Sequence, residues 1–181
     1  MGTNNSDEKT IKQRKSWLRW LKEALLLIVI IVVVGWGTDL WRSQSMASGQ
    51  APQLLAESVQ GETVDLIAMS HEKPVMVYFW ATWCAVCSSV SPSVNFISEN
   101  LESNYHVLAV ALSSGESQRV NQYLKAKEYN FNVINDPKGL ISREWGVNLT
   151  PTLFVINKGE ITSVTTGFTS PIGMWFRLLL A

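Results

Sequence analysis

The stretch Phe79-Trp80-Ala81-Thr82-Trp83-Cys84-Ala85-Val86-Cys87 holds both cysteines of the 181-residue chain, two residues apart. It lies directly behind Val75-Met76-Val77-Tyr78, and the compact, β-rich run Val75–Phe79 is of the kind that becomes a buried strand. A strand that ends in a turn and opens a helix at Cys84 sets that sulfur over the free N–H groups and the positive dipole end of the helix. Such a position favours thiolate over thiol. Cys84 is therefore the candidate nucleophile, and Cys87, one helical turn later and deeper, the candidate resolving thiol.

Two other readings of the pair compete. A structural disulfide closing only two intervening residues removes little loop entropy and makes a poor staple. A zinc site needs about four ligands, and the only histidines, His71 and His106, are unpaired in the sequence. Each histidine reads as an ordinary loop or strand-end residue, and no metal site is assigned. A soft Cu(I) site using the two thiolates remains an alternative.

Outward from the cysteines, the pattern alternates strand and helix. Leu54–Val59 and Thr63–Leu66 form an expected strand pair about a turn at Gln60-Gly61-Glu62. Ser88–Leu101 has helical apolar spacing at Val90, Val94, Ile97 and Leu101, with a kink expected at Pro92. His106–Leu112 reads as a strand, Ser117–Lys127 as a polar helix, Phe131–Ile134 as a strand and Leu140–Trp145 as a short helix after a turn at 135–139. Thr152–Ile156 and Glu160–Thr166 form a hairpin about Asn157-Lys158-Gly159, and Ile172–Leu180 is an apolar helix. These elements specify an α/β domain whose mixed central sheet is flanked by helices on both faces.

The first fifty residues differ. Lys9, Lys12, Arg14, Lys15, Arg19 and Lys22 precede an uncharged run from Ala24 to Gly37, with Trp17 and Trp20 before it and Trp36 and Trp41 at its far end. Trp20 to Trp41 is 22 residues, roughly 33 Å of helix, close to the thickness of a bilayer's hydrocarbon core with its aromatic belts. The basic flank places the N-terminus in the cytoplasm and the rest of the chain outside. The competing reading is a cleaved signal peptide with Ser45-Met46-Ala47 as the cleavage site, which lies beyond Trp41 and Arg42, far from the apolar run. The expected layout is a basic cytoplasmic segment at 1–23, a transmembrane signal anchor at 24–41, a polar linker at 42–52 and one folded domain at 53–181. Residues 45–181 carry eight Lys/Arg against eleven Asp/Glu, so nucleic acid is not an expected partner.

The motif Trp83-Cys84-Ala85-Val86-Cys87, with Thr150-Pro151-Thr152 and Gly167 downstream, resembles the membrane-tethered, periplasmic TlpA/ResA/DsbE group of thioredoxin-fold proteins, the suppressor-of-copper-sensitivity D branch most of all. The resemblance covers roughly residues 52–181. It implies a thioredoxin fold, a cis-proline at Pro151 facing the cysteines, a backbone at Thr150 that pairs with a substrate strand, and an apolar docking surface framed by Trp83, Val86, Pro151 and Gly167.

It further implies a thiol-disulfide oxidoreductase working by dithiol-disulfide exchange with protein clients and needing no organic cofactor. The expected setting is the bacterial inner membrane with the catalytic domain in the periplasm, fed by an integral-membrane electron donor of the DsbD or copper-suppressor B kind. An oxidase direction and a copper(I)-binding role in copper tolerance are the alternatives. Two positions depart from the group. Thioredoxins carry a buried Asp six residues before the first cysteine and many tethered members a Glu six residues after it, where this chain has Tyr78 and Val90. Neither is a ready proton acceptor for Cys87.

Overall fold

The computed structural model describes residues 47–181 together with Lys22, Glu23, Leu25, Leu26, Leu27, Val29 and Ile30. The chain divides into two compact units, Met1–Trp41 and Arg42–Ala181. In the first, the described residues are helical, and among the described residues no helix is long and apolar enough to cross a membrane. The anchor expected at 24–41, the basic segment before it and the linker up to residue 46 lie largely outside the described residues.

The second unit is built on a six-stranded mixed sheet. Its strands are β1 (Gly49–Gln50), β4 (Val75–Trp80), β5 (His106–Leu112), β6 (Asn132–Asp136), β7 (Thr152–Asn157) and β8 (Glu160–Thr166), in the order β1-β8-β7-β4-β5-β6. β4, β5 and β6 run parallel, while β7 pairs antiparallel with the other side of β4 and β8 antiparallel with β7. A separate hairpin, β2 (Leu55–Glu57) with β3 (Thr63–Asp65), turns at Gly61, whose φ of +88° is in the left-handed region that favours glycine.

Five helices accompany the strands: α1 (Leu66–Glu72), α2 (Ala85–Asn100), α3 (Ser117–Lys127), α4 (Leu140–Glu144) and α5 (Pro171–Leu179). The period-2 alternation of β4 sends Met76, Tyr78 and Trp80 to one face, where they meet Val90, Val94 and Ile97 of α2, Val120 and Leu124 of α3, and Met174 and Leu178 of α5. Val75, Val77 and Phe79 go to the other face, with Leu66, Trp145 and Phe154. All six residues of β4 are buried, which is why the run has no polar residue to mark a solvent face.

Several boundaries differ from the sequence expectations. Leu66, read as a strand end, opens α1 instead. The Asp65 carboxylate accepts the Ala68 N–H (3.0 Å), capping the helix start, and Ser70 holds its far end by accepting the Gly159 N–H (2.9 Å). Residues 49–50, read as linker, form an edge strand on β8, and the Ala47 N–H donates to the Trp145 carbonyl (3.1 Å). Backbone pairing overrides their polar, glycine-containing composition. α2 runs through Pro92, which lies inside it. α5 begins at Pro171 because Ser170 accepts the Gly173 N–H (3.2 Å) and a proline suits the first helical position.

Asp136, at the end of β6, is buried and accepts three hydrogen bonds, from Leu140 N (2.7 Å), Ser142 N (2.8 Å) and Ser142 Oγ (2.8 Å). It ties α4 to the sheet. Asp136→Ala leaves these donors without their acceptor and should lower stability by about 3 kcal/mol in urea unfolding. Asp136→Asn, which keeps one acceptor oxygen, should lose less. Equal stability of all three proteins would show that water replaces the carboxylate.

Candidate active site

The site forms where β4 ends. After Trp80 the chain makes a short turn in which the Cys84 N–H donates to the Ala81 carbonyl (3.2 Å), and α2 starts at once. Cys84 is the N-cap residue, with extended backbone, and its Sγ accepts the Cys87 N–H at 3.1 Å. The two sulfurs are joined as a disulfide. Cys84 is 9% exposed and Cys87 1%, so Cys84 is the more accessible of the two. In the reduced form the same N–H and the helix dipole would favour a thiolate on Cys84.

The loop after β5 holds the turn in place. Ser114 Oγ accepts the Thr82 N–H (3.0 Å) and donates to the Leu112 carbonyl (3.1 Å). The Ser113 carbonyl accepts the Trp83 indole N–H (3.0 Å), and Ser113 itself has φ of 46°, an uncommon conformation for a non-glycine residue. Trp83 is thus oriented although 62% of it is exposed. Ser113 and Ser114 were not singled out in the sequence, where two serines after a strand look like any loop.

Across from the disulfide lies the turn before β7. The Thr150–Pro151 peptide is cis, and the Thr150 carbonyl oxygen is 3.6 Å from Cys84 Sγ. Pro151 is buried, and its carbonyl accepts the Gly167 N–H (2.8 Å), while Gly167 has φ of +79°. The structure therefore brings Trp83, Cys84, Val86, Cys87, Thr150, Pro151 and Gly167 to one end of the sheet, and Val86 is exposed there. Exposed Leu149 and Phe168 stand next in the chain to Thr150 and Gly167.

His71 and His106 are elsewhere: His106 pairs with Val75, at the opposite end of β4 from the cysteines, and His71 lies by Gly159. Among the described residues no three His, Cys, Asp or Glu side chains group as a metal site would need.

Tyr78 and Val90 are both fully buried beneath the motif. The Tyr78 hydroxyl is 3.0 Å from Ser91 Oγ and 3.4 Å from the Cys87 carbonyl oxygen. One proton arrangement satisfies both contacts: Ser91 donates to Tyr78 and Tyr78 to Cys87 O. Burial pushes the Tyr78 hydroxyl well above its ordinary range, partly opposed by the Ser91 hydrogen bond, so it stays neutral. Ser91, the partner that makes a buried tyrosine tolerable, was missed in the sequence. Its signal was its position four residues after Cys87, which aligns it with that residue on one helix face.

Residues 47–164 match the model of the AhpC/TSA family. A thioredoxin-like protein of Haemophilus influenzae is 36% identical over 161 residues, covering 89% of this chain and 94% of that protein. The thiol-disulfide oxidoreductase ResA of Bacillus subtilis is 29% identical over 153 residues, 78% of this chain and 82% of the relative. Among solved structures, a protein of Chlorobium tepidum assigned as thiol:disulfide interchange protein DsbE superposes with a TM-score of 0.67 at 26% identity, covering 75% of this chain and 97% of the other.

Tyr78→Phe removes a buried hydroxyl and leaves Ser91 Oγ and the Cys87 carbonyl without it, and should cost about 1 kcal/mol at pH 8. The folded-state pKa of Tyr78 is raised, so the stability that the neutral hydroxyl contributes is full below the ordinary tyrosine value of 10.0 and is lost as pH rises above it. The gap between wild type and variant in urea unfolding should therefore hold up to about pH 10 and narrow as the pH rises further. A gap that stays constant would mean that Tyr78 ionises equally in both states.

Proposed function

The chain belongs to the AhpC/TSA family, in its thioredoxin-like TlpA/ResA/DsbE group, and from that membership we propose that it is a membrane-anchored reductase of protein disulfides facing the periplasm. As a thiol-disulfide oxidoreductase it acts through Cys84 and Cys87. The observation that carries the reading is the N-cap placement of Cys84, the more accessible of the two residues, bonded to a fully buried Cys87.

The exchange runs in two steps. The Cys84 thiolate attacks one sulfur of a client disulfide, that bond breaks, and the other client sulfur leaves as a thiolate. Cys87 then attacks Cys84 Sγ, releases the second client thiolate and closes the Cys84–Cys87 disulfide, so two electrons pass to the client. Cys87 must give up a proton on the way. With a neutral Tyr78 beside its backbone and Val90 supplying no acid, the departing client thiolate or water is the acceptor at hand. Thr150 offers its carbonyl to an incoming extended segment, and Trp83 and Val86, exposed next in the motif to Cys84 and Cys87, offer apolar contact.

The reductive direction and the anchor are further parts of this reading. Support for the anchor is the basic flank and paired tryptophans around residues 24–37; support for the direction is the likeness to the suppressor-of-copper-sensitivity D branch. A membrane dithiol donor of the DsbD or copper-suppressor B kind would return the pair to the dithiol state.

Trapping tests the chemistry. Cys87→Ala should accumulate mixed disulfides through Cys84, and Cys84→Ala should trap nothing and lose insulin reduction; reversed behaviour would exchange the two roles. In rapidly acid-quenched cells, alkylation should find the pair mostly as dithiol, and a mostly oxidised pair would turn the reading to an oxidase. For topology, alkaline phosphatase fused after Gln50 should be active and the full chain should stay with membranes at high salt. Release of a fragment beginning near Ser48 would instead indicate a cleaved signal.

A further inference from the structure

Once Cys84 is joined to a client, no covalent bond holds the side chain of Cys87. The Cys87 N–H is one of the first-turn donors that a helix leaves without a backbone partner, and in the disulfide its acceptor is Cys84 Sγ (3.1 Å). That acceptor is the atom the client takes. The Cys87 carbonyl is held in another way: it accepts the Tyr78 hydroxyl (3.4 Å), whose oxygen lies 3.0 Å from Ser91 Oγ. Neither contact uses a sulfur atom, so opening the Cys84–Cys87 bond removes neither.

The root of this tie is fixed by packing. Tyr78 lies in β4, the strand buried along its whole length, with its ring stacked on Trp80 (centroids 6.4 Å apart) and edge-on to Phe131 (6.3 Å). Ser91, one helical turn beyond Cys87 on α2, is 1% exposed. Burial keeps the Tyr78 hydroxyl protonated, so it stays a donor. We propose that Tyr78 is a positioning residue for the resolving thiol: acting through the Cys87 carbonyl and steadied by Ser91, it keeps Cys87 aimed at Cys84 Sγ while the client is attached. The inference rests on the exchange proposed above and concerns its second step alone. Tyr78 passes no proton in this role. It sets the orientation of Cys87, and an intramolecular attack is sensitive to small displacements of that kind.

The test follows the reduced full chain in detergent by stopped flow, with the aromatic disulfide dithiobis(nitrobenzoate) as the probe. Cys84 attacks the probe and releases one coloured thiolate; Cys87 then attacks Cys84 Sγ, releases the second and closes the disulfide, so the two steps are read as two absorbance phases. Tyr78→Phe should leave the first phase unchanged and slow the second roughly fivefold, the size of one lost neutral hydrogen bond. Ser91→Ala should slow the second phase less, and should add nothing in a Tyr78→Phe background, because it acts through that hydroxyl. Across a series of aromatic disulfides, the dependence of the second phase on the acidity of the leaving thiol should keep its slope in Tyr78→Phe. Both phases unchanged, or both slowed alike, overturns the inference and reduces the pair to a structural contact. A changed slope also overturns it, since Tyr78 would then share in proton transfer. Further slowing by Ser91→Ala in the Tyr78→Phe background overturns the route through Tyr78. The exchange itself fails separately: a first phase at the wild-type rate in Cys84→Ala removes the nucleophile on which both readings rest.

Discussion

The hydrogen bond from the Cys87 N–H to Cys84 Sγ is the contact on which the rest of the site depends. It makes one side chain both the helix cap and the proposed nucleophile. A cap is useful only if the helix start is fixed, and here it is fixed from behind: β4 is buried along its whole length between two apolar layers and delivers the chain directly to the turn. Placing Cys84, the proposed nucleophile, one short turn beyond the most deeply buried strand gives it a rigid base. The Cys84 sulfur then needs little further support.

What support it has comes from neutral groups. Serine and backbone atoms of the β5–α3 loop hold Thr82 and Trp83, and the Ser91–Tyr78 pair bears on the carbonyl of Cys87. A carboxylate under Cys87 would take its proton during the resolving step, yet when ionised it would also disfavour a thiolate nearby. A neutral tyrosine does neither. In the proposed exchange the resolving step would draw on the solvent or the leaving thiolate, tying its rate to the acidity of the client more than to any residue of this chain.

Much of this was legible in the sequence, for reasons that can be stated residue by residue. β4 was readable because a six-residue strand buried on both faces leaves an unbroken apolar run, and the hairpin β7–β8 because Asn157-Lys158-Gly159 is turn chemistry between two β-rich runs. α1 was not readable: it has only seven residues, starts inside what looked like a strand, and depends on the cap from Asp65 and the distant Gly159. The edge pairing of Gly49 and Gln50 was equally hidden, since it is written in backbone hydrogen bonds and not in side chains. At the site, the cysteines and Pro151 stood out by residue type and spacing, whereas Ser91, Ser113 and Ser114 act through contacts between segments up to 32 residues apart.

The surface around the disulfide carries a consequence for partner choice. Trp83, Val86, Leu149 and Phe168 are exposed at the cysteine end of the sheet, and the Thr150 carbonyl lies among them. Apolar contact is non-directional, and a backbone carbonyl accepts from the main chain of any sequence but proline. Neither reads a particular side chain. On the proposed function, a rim of this composition would bind an extended segment around a disulfide without demanding a unique sequence, and would release that segment once the covalent link is resolved. Selectivity then has to come from somewhere other than the rim: from where the domain is held and which disulfides come within its reach.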